Sequence, residues 1–237
     1  MTDPRIDVMQ RYAGAAGTSC DPMIGEHGNC GDGYYEASDL GALPESVTAA
    51  SLGCANPLAV ADLREGEIVL DLGSGAGLDV LLSARRVGPS GKAYGIDMTR
   101  EMLELARANQ REAGVPNAEF LEGFIEDVPL PDASVDIVLS NCVINLSPEK
   151  GRVFSEMFRV LRPGGRLALA DVVAEGPVDD ATRARLEVES PCLATAATRS
   201  EYEEGLASAG FAEASVDATR EVAPGFSSAI VRAVKPR

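Results

Sequence analysis

Residues Glu67 to Asp97 read EIVLDLGSGAGLDVLLSARRVGPSGKAYGID, and the fold turns on them. EIVLDLG is an apolar run of strand length. LDVLLSARRV carries a helical apolar pattern that GPSG stops, and KAYGID is a second strand. Gly73, Gly75 and Gly77 fall between the first strand and its helix. A chain that turns sharply there, with a ligand against its backbone, needs residues without Cβ, and the helix that follows offers unpaired N–H groups.

Working downstream, REMLELARANQREAG is an amphipathic helix with Met102, Leu103, Leu105 and Ala106 on one side and Gly114 at its end. AEFLEG makes a third strand and SVDIVLSN a fourth. PEKGRVFSEMFRVL is a helix stopped by RPGG, and RLALADVV is a fifth strand. Strand and helix alternating five times predict a doubly wound, Rossmann-like α/β fold, its parallel sheet covered on both faces. Beyond Asp179 the pattern changes: helices DDATRARLEVES and SEYEEGLASAGF flank PCLATAAT, and EASVDATRE and SSAIVRAVK read as strands finishing the sheet.

Upstream, a short helix is expected over Arg5 to Tyr12, then a glycine-rich polar segment. ASDLGALPESVTAASLGC reads as a second helical piece, with Pro44 in its first turn and Gly53 at its end. The organisation predicted is an N-terminal helical arm or lid with its linker (residues 1–65), a cofactor-binding domain (66–175) and a small C-terminal α+β extension covering the substrate (176–237).

The 237 residues suit one sizeable α/β domain with appendages. A formal net charge of −16 argues against a nucleic-acid partner or an anionic membrane surface. No apolar run reaches the ~18 residues that would span a bilayer. The opening MTDPRIDVMQRY is polar and acidic, unlike a secretory leader, and five scattered cysteines suit a reducing, cytoplasmic setting. A monomer is expected.

Asp71 ends the first strand, where it can attract an ammonium group. Asp97 ends the second, where a carboxylate can accept both ribose hydroxyls; Met98 beside it is expected to join the same site. After the third strand comes GFIEDVPLP, in which Ile125 can pack on an adenine and Glu126 can accept its exocyclic amine. The spacing is G-x-G-x-G, without the last glycine of the dinucleotide pattern. One ligand asks for an ammonium, a ribose and an adenine partner: S-adenosylmethionine. With RVLRPGGRLAL leading into the fifth strand, residues 66 to 173 resemble the class I S-adenosylmethionine-dependent methyltransferases.

Within that superfamily, SLGCANP, GKAYGIDMT, FLEGFIEDVPLPDASVDIV, CLATAATRSEYEEGLASAGF and above all SNCVINLSPEKGRVFSEMFRVLRPGG look like the arsenite methyltransferases. The likeness covers most of residues 40 to 235. It implies transfer of methyl groups from S-adenosylmethionine to trivalent arsenic, with the arsenic-binding thiols falling on Cys54, Cys142 and Cys192. Soft trivalent arsenic takes three thiolates in a pyramid and keeps a lone pair, which attacks a methyl group without a general base. The only histidine, His27, lies outside the sheet domain.

Taken alone, Cys142 at a buried strand end reads as packing. The family often carries a further N-terminal thiol that forms a disulfide with the one matching Cys54. That implies a redox role for Cys20 or Cys30, with Cys20 preferred, and a thiol reductant of thioredoxin or glutathione type as partner beside the small metalloid substrate. Cys20, His27 and Cys30 also have the spacing of half a zinc site, with no second ligand pair to complete it. Asn141 is placed either to touch the methionine end of the cofactor or to cap a turn. Asp171 reads as structural, and Glu187 and Glu189 as one solvated helix face. Two departures, Cys54-Ala55-Asn56-Pro57 for the usual Cys-Gly-Asn-Pro and Pro191 before Cys192 in place of glycine, leave the preferred methylation state open. A selenium or small organic acceptor, or a metalloid-binding protein without turnover, are the alternatives to arsenic methylation.

Overall fold

The computed structural model describes residues 4–15, 34–41, 43–51 and 53–237. Cys20, His27 and Cys30 lie outside the described residues. Seven strands form one sheet: β1 Ile68–Leu72, β2 Lys92–Asp97, β3 Ala118–Glu122, β4 Val135–Asn141, β5 Leu161–Ala174, β6 Ala212–Ala223 and β7 Phe226–Val234. Their spatial order is β3-β2-β1-β4-β5-β7-β6. The first five pair in parallel, while β7 runs antiparallel to both β5 and β6. The chain reverses its direction of travel across the sheet between β1 and β4, and that point opens a crevice beyond the carboxyl ends of the strands.

The central strands are continuous apolar runs because helices cover both of their faces. Leu70, Leu72, Ile137 and Leu139 are fully buried, each burial contributing about 1.5–3 kcal/mol. The crossover helices are α4 Leu78–Arg86, α5 Arg100–Ala113 and α6 Lys150–Val160. On α5 Met102, Leu103 and Ala106 are buried as its periodicity predicts, while Leu105 is only half-buried. After β5 come α7 Asp180–Glu189, α8 Pro191–Ala194 and α9 Arg199–Ala209. A reciprocal capping box between Thr198 and Glu201 starts α9. No described helix is long and apolar enough to cross a membrane.

Three local readings differ from the structure. The helical piece expected over residues 37–54 is two short helices, α2 Ala37–Leu40 and α3 Glu45–Ala49. Pro44 caps α3 from outside at ψ 145°, and its ring disfavours helical backbone in Leu43, the residue before it, which separates the two. Helix α3 ends at Ala49, ahead of the expected stop at Gly53. RPGG does not precede β5 but lies within it: pairing with β4 shifts between Val135–Leu161 and Ile137–Arg166, which absorbs the extra residues as an irregularity. PCLA forms the short helix α8 where only a connection was read.

The N-terminal helix α1, Pro4–Ala15, is longer than its predicted Arg5–Tyr12 core and packs against α5 at the crevice.

Candidate functional site

The glycine turn forms the crevice floor. Gly73 stands at φ +72°, and a Cβ there would lie 2.9 Å from Val143 Cβ, so only glycine lets the turn pack beneath the segment that follows Cys142. The backbone N–H groups of Gly73 and Ser74 both donate to the Ile96 carbonyl, at 2.8 and 3.0 Å. These bonds fasten the turn to the end of β2. Gly75 then donates its N–H to Asp97 Oδ2 at 2.9 Å, and Thr99 donates to Oδ1 at 2.8 Å, which fixes the Asp97 carboxylate at the crevice wall. Gly75 has open space where a Cβ would point.

Asp71, Gly73, Gly75, Asp97 and Met98 line one cleft with Ile125, Glu126, Asn141 and Cys142. Gly77 does not join them. It caps α4 on its inner side, against the ring of Phe120, so its role is helix packing. Glu126 is buried, and its carboxylate accepts a hydrogen bond from the Ser147 hydroxyl. Arg5, Val8 and Tyr12 of α1 complete the cleft wall.

Besides Glu126, three buried or nearly buried carboxylates meet in this cleft. Burial, and then the neighbouring charges of Asp79 and Asp97, push Asp71 well above the ordinary carboxylate range. Burial raises Asp79 to about 6, against hydrogen bonds from Tyr35 and Asn141 that lower it. Burial also raises Asp97, partly offset by the N–H groups of Thr99 and Gly75. Acids crowded in a partly closed site favour a cationic ligand, which relieves their mutual repulsion. Asp79 is absent from the sequence reading because an acid in a helix's first turn is ordinary dipole compensation. The available signal was its position between Leu78 and Val80 at the start of an otherwise buried helix. This donor set could hold S-adenosylmethionine, with Asp71 and Asp79 available to its ammonium group, Asp97 to its ribose, and Ile125 and Glu126 to its adenine.

Beside the acids lie two of the thiols. Cys54 and Cys142, 88 residues apart in sequence, are joined as a disulfide, with Cα atoms 6.0 Å apart. Cys142 follows the tip of β4 in a left-handed conformation, φ 58°, with its N–H on the Ala170 carbonyl at 2.8 Å. It faces the cleft, whereas Cys54 is buried behind it. Asn141 explains the approach. Its side-chain oxygen accepts the Cys54 N–H at 3.0 Å, and its amide donates to the Ala55 carbonyl at 2.8 Å and to the Tyr35 hydroxyl at 3.2 Å. Asn141 therefore lines the cleft and also braces the neighbouring segment. From behind, the Ser228 hydroxyl donates to the Cys54 carbonyl at 2.9 Å.

Cys192 is a free, half-buried thiol on α8, its sulfur 3.4 Å from the Ser190 hydroxyl. Burial raises its pKa, opposed by Ser190 and reinforced by the charge of Asp171. Helix α8 packs on β5 and on the 3-10 turn Ile144–Leu146, just past Cys142. Its residues Leu193 and Ala194 share an apolar cluster with Cys54 and Cys142.

Two expectations need correction. The disulfide of Cys54 runs to Cys142, because Asn141 brings those two segments together, and not to an N-terminal thiol. Nor do the sulfurs stand as a tripod in this oxidised state: among the described residues no three His, Cys, Asp or Glu side chains are arranged to hold a metal ion. A bond between two of the three sulfurs removes two of the donors.

Asp171 is structural, as read. Fully buried, it accepts hydrogen bonds from the Tyr202 hydroxyl, the Asn145 amide and two backbone N–H groups, and burial raises it to about 6 against those bonds. Glu187 is exposed on α7.

A methyltransferase-domain family model matches residues 63–210. An arsenite methyltransferase of Halobacterium salinarum is 39% identical over 99% of this chain and 67% of its own length. Another, from Aquipseudomonas alcaligenes, is 40% identical over 69% of this chain and 49% of its own length, so the chain spans two thirds of one relative and about half of the other. The crystal structure of an arsenic(III) S-adenosylmethionine methyltransferase from Chlamydomonas reinhardtii superimposes with a TM-score of 0.71. It is 31% identical, with 84% of this chain and 72% of that one covered.

Proposed function

This chain belongs to the arsenite methyltransferases, within the class I S-adenosylmethionine-dependent methyltransferase family, and on that footing we propose that it methylates trivalent arsenic held by the thiolates of Cys54, Cys142 and Cys192. The observation carrying this reading is the position of Cys142. It lines the acid-walled cleft and is at the same time bonded to the sulfur of Cys54.

Bound S-adenosylmethionine supplies an electrophilic methyl group on a sulfonium sulfur. The chain's residues do the rest. Asp71, Asp79 and Asp97 favour a cation in the cleft, while Ile125 and Met98 offer apolar surface beside it. Once Cys54 and Cys142 are reduced, each thiol displaces one hydroxide of arsenite as water. Three such exchanges give a tris-thiolate whose lone pair is a better nucleophile than that of the hydroxide form. No side chain needs to remove a proton from the acceptor.

Gaining a carbon takes arsenic formally from the trivalent to the pentavalent state. Two electrons from a pair of thiolates return it to the trivalent state as a disulfide closes. In this reading the Cys54–Cys142 disulfide is the oxidised form of that pair. A dithiol or glutathione-type reductant supplies two electrons and two protons to reopen it. A reducing, cytoplasmic setting and a monomeric enzyme are part of the same proposal, as is a redox role for Cys20.

The test is product analysis by mass. Reduced enzyme, S-adenosylmethionine and a thiol reductant are supplied with arsenite, methylarsenite, selenite or small organic acceptors. Methylated arsenic formed in preference to every other product supports the reading; methylation of an organic or selenium acceptor alone, or arsenite binding without product, overturns it.

A further inference from the structure

Within Asn141-Cys142-Val143-Ile144-Asn145 the cysteine is flanked by two asparagines, and each reaches to a different segment of chain. Asn141 brackets residues 54 and 55, accepting the N–H of the first and donating to the carbonyl of the second. Asn145, fully buried, accepts the Ala197 N–H at 3.1 Å and donates to Asp171 Oδ1 at 2.8 Å and the Val172 carbonyl at 2.6 Å. Ala197 is also anchored through its carbonyl, which accepts the Ala174 N–H at 3.0 Å.

Residues 53–55 lie outside the sheet, and the 191–197 segment meets it only at its end, where Ala174 and Thr198 form an isolated bridge, so no strand ladder sets the distance of Cys54 or Cys192 from Cys142. A side-chain amide carries both a donor and an acceptor and can stand in for a strand neighbour; a carboxylate or an apolar group of the same size cannot.

We infer that Asn141 and Asn145 are positioning residues that hold the Cys54 and Cys192 segments, respectively, at the distance from Cys142 needed for three thiolates to share one arsenic atom. This rests on the arsenic reading above. It goes further by giving each asparagine one thiol to place. Neither asparagine touches arsenic. Removing one leaves two thiols in register and frees the third.

Arsenical valency tests this. Arsenite offers three exchangeable positions, while phenylarsine oxide offers two. Reduced wild-type protein, Asn141→Ala and Asn145→Ala are loaded with each arsenical without S-adenosylmethionine, then alkylated and mapped by mass spectrometry. Wild type with arsenite is expected to protect Cys54, Cys142 and Cys192. Asn141→Ala is expected to expose Cys54 alone and Asn145→Ala Cys192 alone. Each variant should lose about tenfold or more in arsenite affinity, the loss of one arm of a chelate, with phenylarsine oxide held within about twofold. Should Asn145→Ala not fold, Asn145→Ser takes its place, and Asn141, only half-buried, carries its own arm of the test. Identical protection maps for wild type and variants, or the same thiol lost in both variants, overturn the asparagine assignment alone. Absence of thiol protection in wild type overturns the arsenic reading and this assignment with it.

Discussion

Tyr35 donates its hydroxyl hydrogen to Asp79 Oδ1 at 2.7 Å, joining the chain ahead of the sheet to the first turn of α4. The same hydroxyl accepts the Asn141 amide. One polar thread therefore runs from Asp79 in the cleft through Tyr35 and Asn141 to the backbone of Cys54. Tyr35→Phe removes a donor from a buried acid. It is expected to lower the free energy of unfolding by about 1–2 kcal/mol in denaturant titration at pH 7. A change near zero would mean that the Tyr35–Asp79 bond adds nothing to stability.

Asp79 makes the fold and the cofactor site respond oppositely to pH. Its carboxyl, ordinarily near 3.8, is raised to about 6 by burial. It therefore stabilises the fold most below its unfolded value, and that contribution is lost as pH rises through about 6. Asp79→Asn should raise the apo unfolding midpoint over wild type at pH 8, the two converging near pH 4. Binding runs the other way: affinity for the cationic cofactor should fall as pH drops through about 6 in wild type, and this step should shrink in Asp79→Asn, Asp71 and Asp97 supplying what remains. Isothermal titration across that range reads both the step and its reduction.

Gly53 approaches Asn141 so closely that an added Cβ would lie 2.6 Å from its Cγ. Gly53→Ala must displace one segment or the other, at a cost of about 1–3 kcal/mol. The displacement falls on the bracket that holds Cys54. Mild oxidation should then give less Cys54–Cys142 disulfide, scored by differential alkylation and mass. Undiminished disulfide in that variant contradicts the role given to the bracket.

What could be read from the sequence was what is local. Alternation of apolar strands with helices, the glycines between β1 and α4, and the acids at strand ends all sit in windows of a few residues, where periodicity and turn chemistry act directly. Long-range features were not legible. The link between Cys54 and Cys142 spans 88 residues, and the Asn141 side chain that bridges their segments is read from sequence only as a cofactor contact or a turn cap. Asp79 was hidden by its ordinary place in a helix's first turn. Gly77 shared the glycine pattern without sharing the cleft, because Phe120, which it meets, comes from a different strand. The break between α2 and α3 could have been seen, since Pro44 interrupts that run.

Cys142 lines the acid-walled cleft and is bonded to Cys54, so replacing its sulfur separates cofactor binding from the proposed arsenic site. Cys142→Ser is expected to keep cofactor affinity within about twofold and to lose arsenite methylation by a factor of about 10² or more. Unchanged turnover would remove Cys142 from the chemistry.

Arsenic absorption-edge spectroscopy counts the atoms bound to arsenic and so reaches the central claim most directly. Reduced wild-type protein loaded with arsenite should show three sulfur neighbours and no oxygen. Replacing any one of Cys54, Cys142 and Cys192 by serine should leave two. Oxygen in the wild-type shell, or a sulfur count that none of the three substitutions changes, would contradict the account.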